Sequence, residues 1–225
     1  MGLLGRGVLL IWNDVAPGGD AEFNHWHIRE HIAERVAVPG FLRGRRYVAV
    51  AGSPTYFTLY ETESVETLGS PAYHARLNDP TPWTQRCIPL FRNGKRSACR
   101  VTASLGDGVG GTLATVDLGP APGHEDELRA WLVSTALPSA IDRPGLVGAH
   151  LCESDAGVSV VRAAEKQLRD EPDTLARWVV LLEGIDSAVV DAVYGDLLNP
   201  DALARRGATA DLAVATYRMQ YGLGP

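Results

Sequence analysis

The segment HWHIREHIAER, His25 to Arg35, carries three of the six histidines in the chain. His27 and His31 are four residues apart, a spacing that makes two side chains neighbours on a helix. Paired imidazoles can hold a metal ion. A single imidazole can move a proton, because its ordinary pKa of about 6.5 lies near neutrality. HIREH also matches the H-x-x-E-H pattern of one class of zinc proteases. That class is built from larger enzymes with a distant third ligand, and catalytic zinc takes three protein ligands. No third ligand can be singled out, so no metal is assigned. A metal-dependent enzyme using His27 and His31 is kept as the second alternative.

On a helical wheel of about 100° per residue, Ala21, His25, Ile28, Ile32 and Val36 form one stripe. This stripe is expected to face a sheet, with His25 buried and hydrogen-bonded inside it. Asn24, His31 and Arg35 run along its flank. His27 lies further round and reads as a surface histidine, or as a ligand contact if a pocket extends that far. His31, at the edge of the buried stripe, is the candidate acid or base.

The elements that position this helix occur twice. Trp26, Pro39-Gly40 and Phe41 are followed, each 105 residues later, by Trp131, Pro144-Gly145 and Leu146, and Phe23 maps onto Leu128. Apolar runs rich in strand formers flank both helices. They are 7–14 and 111–118, then 45–51 and 146–152, then 55–61 and 177–183, and finally 97–105 and 212–221. Second helices are expected over 64–78 and 186–198. Each half therefore reads strand–helix–strand–strand–helix–strand, the ferredoxin-like βαββαβ order. The expected fold class is α+β, with two tandem units forming an intramolecular α+β barrel pseudo-dimer whose sheets cover each other. The units are 1–105, the working half, and 111–225, the scaffold half, joined by a glycine-rich linker over 106–110. An insertion near 154–172, containing RAAEKQLRDE, is expected to form an extra exposed helix.

Trp26, His31, Pro39, Gly40, Phe41 and Tyr47 together resemble the EthD-like branch of the dimeric α+β barrel superfamily. The resemblance implies a fused pseudo-dimer with a small apolar or aromatic ligand held between sheet and helices. It also implies one of several chemistries: cofactor-free monooxygenase, isomerase, cyclase, decarboxylase or haem enzyme. Fold alone does not choose among them.

Strand alternation offers further candidates. Trp12, Tyr47 and Tyr60 could form an aromatic wall with phenolic donors, which a small-molecule pocket needs. Each could equally be core packing. Arg45 offers a bidentate fork for an anion, or is a solvated edge residue. Trp83 lies in a Pro-broken loop that could cap the pocket. The catalytic candidates are thus His31, Tyr47 and Tyr60, and the substrate-binding candidates are Trp12, His27, Arg35, Arg45 and Trp83. In the second half Leu132 and Ala136 stand where the first has His27 and His31, which points to one pocket, in the N-terminal half.

Bulk properties exclude other classes. With 225 residues, 45% hydrophobic and 21% charged, the chain can bury a sizeable core. A net charge of −6 argues against a nucleic-acid partner. The apolar run in MGLLGRGVLLIWND is too short for a membrane span. Cys87, Cys99 and Cys152 show no CxxC spacing, which fits free thiols in a reducing compartment and a cytoplasmic location. No nucleotide-binding glycine motif or nucleophile elbow occurs. The expectation is a cofactor-independent isomerase, lyase or monooxygenase acting on a small hydrophobic or aromatic oxygenated metabolite, with no cofactor, no nucleic acid and no membrane, as a monomer or homodimer. The first alternative is a non-catalytic small-molecule-binding or stress-response protein.

Overall fold

The computed structural model describes residues 2–159, 163–169 and 172–224. Its strands are β1 (Gly7–Val15), β2 (Phe41–Ala51), β3 (Tyr56–Thr62), β4 (Phe91–Leu105), β5 (Thr112–Leu118), β6 (Leu146–Ser154), β7 (Trp178–Gly184) and β8 (Ala213–Leu223). They close into one barrel in the order β1-β3-β2-β8-β5-β7-β6-β4. Every pairing is antiparallel. The neighbours run β4-β1-β3-β2 in the first half and β8-β5-β7-β6 in the second, and the halves join at β2–β8 and β4–β6. Closure leaves no unpaired sheet edge.

The helices pack on the outside of the barrel. In the first half they are α1 (Asp20–Trp26), α2 (Ile32–Val36), α3 (Pro71–Asn78) and α4 (Pro82–Cys87). In the second they are α5 (Glu125–Trp131), α6 (Leu137–Ile141), α7 (Ala156–Ser159), α8 (Ala164–Gln167), α9 (Ser187–Leu197) and α10 (Pro200–Ala204). Among the described residues no helix is long and apolar enough to cross a membrane.

Strand alternation divides the core into layers. Val8, Leu10, Trp12, Tyr47, Phe57 and Leu59 fill the barrel interior together with Leu113, Val179, Leu181 and Tyr217. Leu9, Tyr60 and Ala98 point outward, under α2 and α3. With apolar cover on both faces, a strand such as VLLIW reads as a continuous apolar run. Gly40 and Gly145, in the two Pro-Gly turns, have φ of +87° and +86°. Only glycine adopts that conformation freely, and a Cβ at Gly40 would stand 2.8 Å from the Thr67 side chain.

The helix carrying the histidines departs from the expected wheel. α1 continues into a π-helical turn, His27–His31, and then directly into α2. The same sequence recurs as α5, a π turn at Leu132–Ala136, and α6. A π turn inserts one extra residue, so counting back from Ile32 by five reaches His27 and then, by four, Phe23. Those residues are buried together with Trp26, His31 and Arg35, whereas Ala21, His25 and Ile28 are exposed. His25 is therefore a surface residue and His27 a buried one, the reverse of the expectation from a uniform period.

The insertion is also not an exposed helix. Of its described residues, Ser159, Ala163 and Glu165 are buried. Ala164 N–H donates to Asn78 Oδ1 on α3 at 3.0 Å. The Arg96 guanidinium donates to the Ser159 carbonyl at 2.9 Å. Its charges are paired: Glu165 with Arg35 of the first half, and Lys166 and Arg169 with Asp173.

Candidate functional site

Beneath the π turn, the outer face of β1 and β3 and the inner face of the insertion enclose a cavity of about 20 Å³. That is room for about one water molecule. Its lining is mixed. Leu9, Ile11, Leu77, Ile88 and Phe91 supply apolar surface, and Asn13, His27, His31, Arg35, Tyr60, Tyr73 and Arg96 supply polar groups. Glu165, Lys166 and Arg169 close it from the insertion.

The imidazoles are held by rings rather than by hydrogen bonds. Phe23 stacks on His27 with centroids 5.1 Å apart, His27 on His31 at 5.4 Å, and Trp26 covers His31 at 4.3 Å. Trp26 is itself fixed by donating its indole N–H to Thr84 Oγ1 at 3.2 Å. The Nδ1 atoms of His27 and His31, the Tyr60 hydroxyl and Arg35 Nη1 are buried with no hydrogen-bond partner. Buried polar atoms are normally paired, because leaving one unmade costs about 1–3 kcal/mol. All four atoms belong to residues that line this one cavity.

Electrostatics sets the protonation state. Burial, then the Arg46 and Arg35 guanidiniums, hold His27 well below the ordinary histidine value. Burial, then Arg35, does the same for His31. These surroundings favour the neutral form of both imidazoles. Burial opposes the charge on Arg35, yet the adjacent Glu165 carboxylate together with Tyr73 and Tyr60 more than offsets it and favours the charged guanidinium. Burial raises the Tyr60 phenol, so it remains a donor. Burial, with Arg169 and Arg96 nearby, lowers Lys166 to about 7 despite its contact with Asp173. Among the described residues no group of three or more His, Cys, Asp or Glu side chains is placed to hold a metal ion. The guanidiniums beside the two imidazoles also repel a cation.

Of the residues singled out from sequence, His27, His31, Arg35 and Tyr60 come together here. Trp12, Tyr47 and Arg45 do not, because they point through the sheet into the barrel. Register shows why: Trp12 and Tyr47 both pair with Phe57, whereas Tyr60 pairs with Leu9 and Gly44 on the opposite face. The expected aromatic wall is thus split between two sides of the sheet. Arg45 is committed to Glu61 at 2.9 Å and to both oxygens of Glu183 at 2.7 and 3.0 Å. Trp83, on α4, donates to Glu22 Oε1 at 2.7 Å and meets the His25 ring edge-on. It rests on the outer side of α1 and is not part of the cavity lining. Sequence reading missed Asn13, Tyr73, Arg96, Glu165, Lys166 and Arg169. Only Asn13 carried a signal, as the polar residue on the Leu9–Ile11 face where Leu118 stands 105 residues later.

No family model matches the chain, and no curated protein sequence is significantly similar to it. Solved structures are similar over nearly its whole length. An anthrone oxidase-like protein superposes with a TM-score of 0.64 at 15% identity, covering 97% of this chain and 92% of its own. A proposed monooxygenase from Fusobacterium nucleatum gives 0.59 at 8% identity, covering 99% and 96%. One from Lactobacillus acidophilus gives 0.59 at 8% identity, covering 97% and 96%. At this level of identity the likeness concerns the fold: the chain shares with these proteins the α+β barrel architecture.

Proposed function

We propose that the chain is a cofactor-independent enzyme of the monooxygenase type, acting on a small oxygenated aromatic molecule in the cavity beneath the π turn. The observation that carries this reading is internal. Where the first half places Asn13, His27, His31 and Arg35, the positions 105 residues later hold Leu118, Leu132, Ala136 and Ala140, all buried. By strand register Tyr60, paired with Leu9, corresponds to Leu182, paired with Ala114. The second half packs these residues as ordinary core. The polar set is therefore not a requirement of the fold, and it is retained at the cost of unpaired buried groups. On this reading the barrel is a pseudo-dimer of two tandem βαββαβ units, akin to the EthD-like branch, with one working pocket.

The chemistry follows from the groups. Neutral His31 accepts a proton from an acidic C–H or O–H of the bound molecule. The anion so formed faces the Tyr60 hydroxyl within the field of Arg35, and both favour negative charge in a site of low dielectric. His27, stacked on His31, is the second acceptor. Likeness to an anthrone oxidase-like protein suggests a substituted anthrone as a first substrate. Its carbanion would react with dioxygen to give the corresponding anthraquinone and water.

The test is oxygen uptake with anthrones, phenols and 1,3-diketones, each with and without a carboxylate substituent, using protein stripped of metal and flavin. Turnover is expected in the wild type and should fall at least about 100-fold in His31→Gln, the usual share of a positioned acid or base. Turnover unchanged in His31→Gln would remove that histidine from the mechanism.

A further inference from the structure

We infer that the substrate carries a carboxylate, and that Glu165 occupies the carboxylate's seat in the unliganded protein. The inference deepens the functional reading above and rests on the same pocket.

Three observations lead to it. The first is the charge around the cavity. Arg35, Arg96, Lys166 and Arg169 line it; Asp173, behind the lining, pairs with Lys166 and Arg169, and among the described lining residues Glu165 is the one carboxylate. The second is the origin of that carboxylate. Arg35 belongs to α2, on the barrel, whereas Glu165 belongs to α8, in the segment that the first half lacks. The anion is thus brought to the barrel site from outside, on a four-residue helix.

The third is the incompleteness of the pair. Arg35 donates to Glu165 through Nη2 alone, and its Nη1 is buried without a partner. A guanidinium is best satisfied by a planar carboxylate that accepts from two nitrogens at once. A ligand carboxylate in that position would use both Nη atoms. The remainder of the ligand would then lie against His31, His27 and Tyr60, which line the same cavity and hold unpaired polar atoms. The space of about 20 Å³ admits no aromatic acid while Glu165 is seated. Entry and release of Glu165 are therefore one event, and the residue acts as an internal competitor that restricts the site to ligands able to replace it charge for charge.

The test uses benzoate and its neutral analogue benzamide as probes, with affinity measured by calorimetry. Benzoate should bind the wild type weakly and Glu165→Gln at least about ten-fold more tightly, while benzamide gains little. Adding Arg35→Met to Glu165→Gln should abolish benzoate binding. Glu165→Asp keeps the charge but retracts it by one methylene, and it should fall between wild type and Glu165→Gln. It serves as the second variant if the amide disturbs folding, which circular dichroism would reveal. Equal benzoate affinity in the wild type and both Glu165 variants would overturn the inference. So would an equal gain for benzamide, which would make Glu165 a steric plug only. These readouts are independent of turnover. Tight benzoate binding alongside unchanged activity in His31→Gln would refute the catalytic reading and leave the carboxylate site standing.

Discussion

His27 presents the conflict between function and stability most sharply. It is buried, uncharged and short of a hydrogen-bond partner at Nδ1. Leu132, its counterpart, is buried in apolar core. Replacing His27 with Leu removes the orphaned acceptor, so it should stabilise the fold by about 1 kcal/mol and weaken ligand binding. Urea denaturation beside benzoate titration checks both; destabilisation would mean that a partner pairs with Nδ1 in solution. The pair also predicts a pH dependence. Histidines of the unfolded chain take up protons as pH falls through about 6.5, while His27 and His31 in the folded state resist protonation well below that value. The unfolded state then binds more protons, so folding stability should fall on acidification from pH 6.5 towards 5. The slope is up to about 1.4 kcal/mol per pH unit for each histidine. His27→Leu combined with His31→Ala should flatten it. An unchanged slope would show that neither imidazole resists protonation.

At the scale of elements, the π turn decides which residues meet. It turns His27, His31 and Arg35 together toward β1 and β3, although a uniform wheel centred on Ile28 and Ile32 sets His27 outside the buried stripe. Deleting the exposed residue Ile28 would remove the extra residue and return the turn to α geometry, with both flanks keeping their faces. His27 and His31 would then stand three residues apart instead of four, so benzoate binding should weaken while stability changes by only about 1 kcal/mol. Deleting Val133, likewise exposed in the corresponding turn of the second half, should cost similar stability while sparing the ligand site. If both deletions left binding intact, the turn would not be what assembles the pocket. This element also marks where sequence reading stops. Strand runs, Pro-Gly turns and the order of elements were legible because they rest on apolar runs and glycine backbone freedom. His31, Arg35 and Tyr60 were legible as candidates by residue type. The π turn was not, because nothing in HIREH distinguishes five-residue from four-residue hydrogen bonding. Glu165 and Arg96 reach the pocket through contacts across 130 and 63 residues of chain respectively, with Arg35 and Ser159, and no local pattern encodes those.

At the scale of the whole molecule, the two halves are also joined through a buried charge network inside the barrel. Arg45 on β2 lies between Glu61 on β3 and Glu183 on β7, all essentially inaccessible to solvent. Gly110, in the segment linking the halves, donates its N–H to Glu183 Oε2 at 3.1 Å. Burial alone would raise Glu183, but Arg45 and then His150 prevail and hold it down to about 2. A carboxylate lowered in the folded state favours folding above its unfolded pKa, near 4.5, and that contribution is lost as pH falls from there towards 2. Removing one member leaves an uncompensated charge in the interior, so Glu183→Gln should cost about 3–5 kcal/mol at pH 7. Arg45→Met combined with Glu183→Leu removes both charges of this pair and should recover much of that loss, although Glu61 then keeps only Arg43 and the Leu4 N–H as partners. Unfolding free energies of wild type, Arg45→Met, Glu183→Leu and the double variant close a thermodynamic cycle. A coupling energy near zero would mean that Arg45 and Glu183 act independently, and the halves would then be held by strand pairing and apolar packing. A large coupling would make Arg45 a clamp between the halves, and so would place its fork on the stability side of the molecule, on the opposite face of the sheet from the histidine pocket.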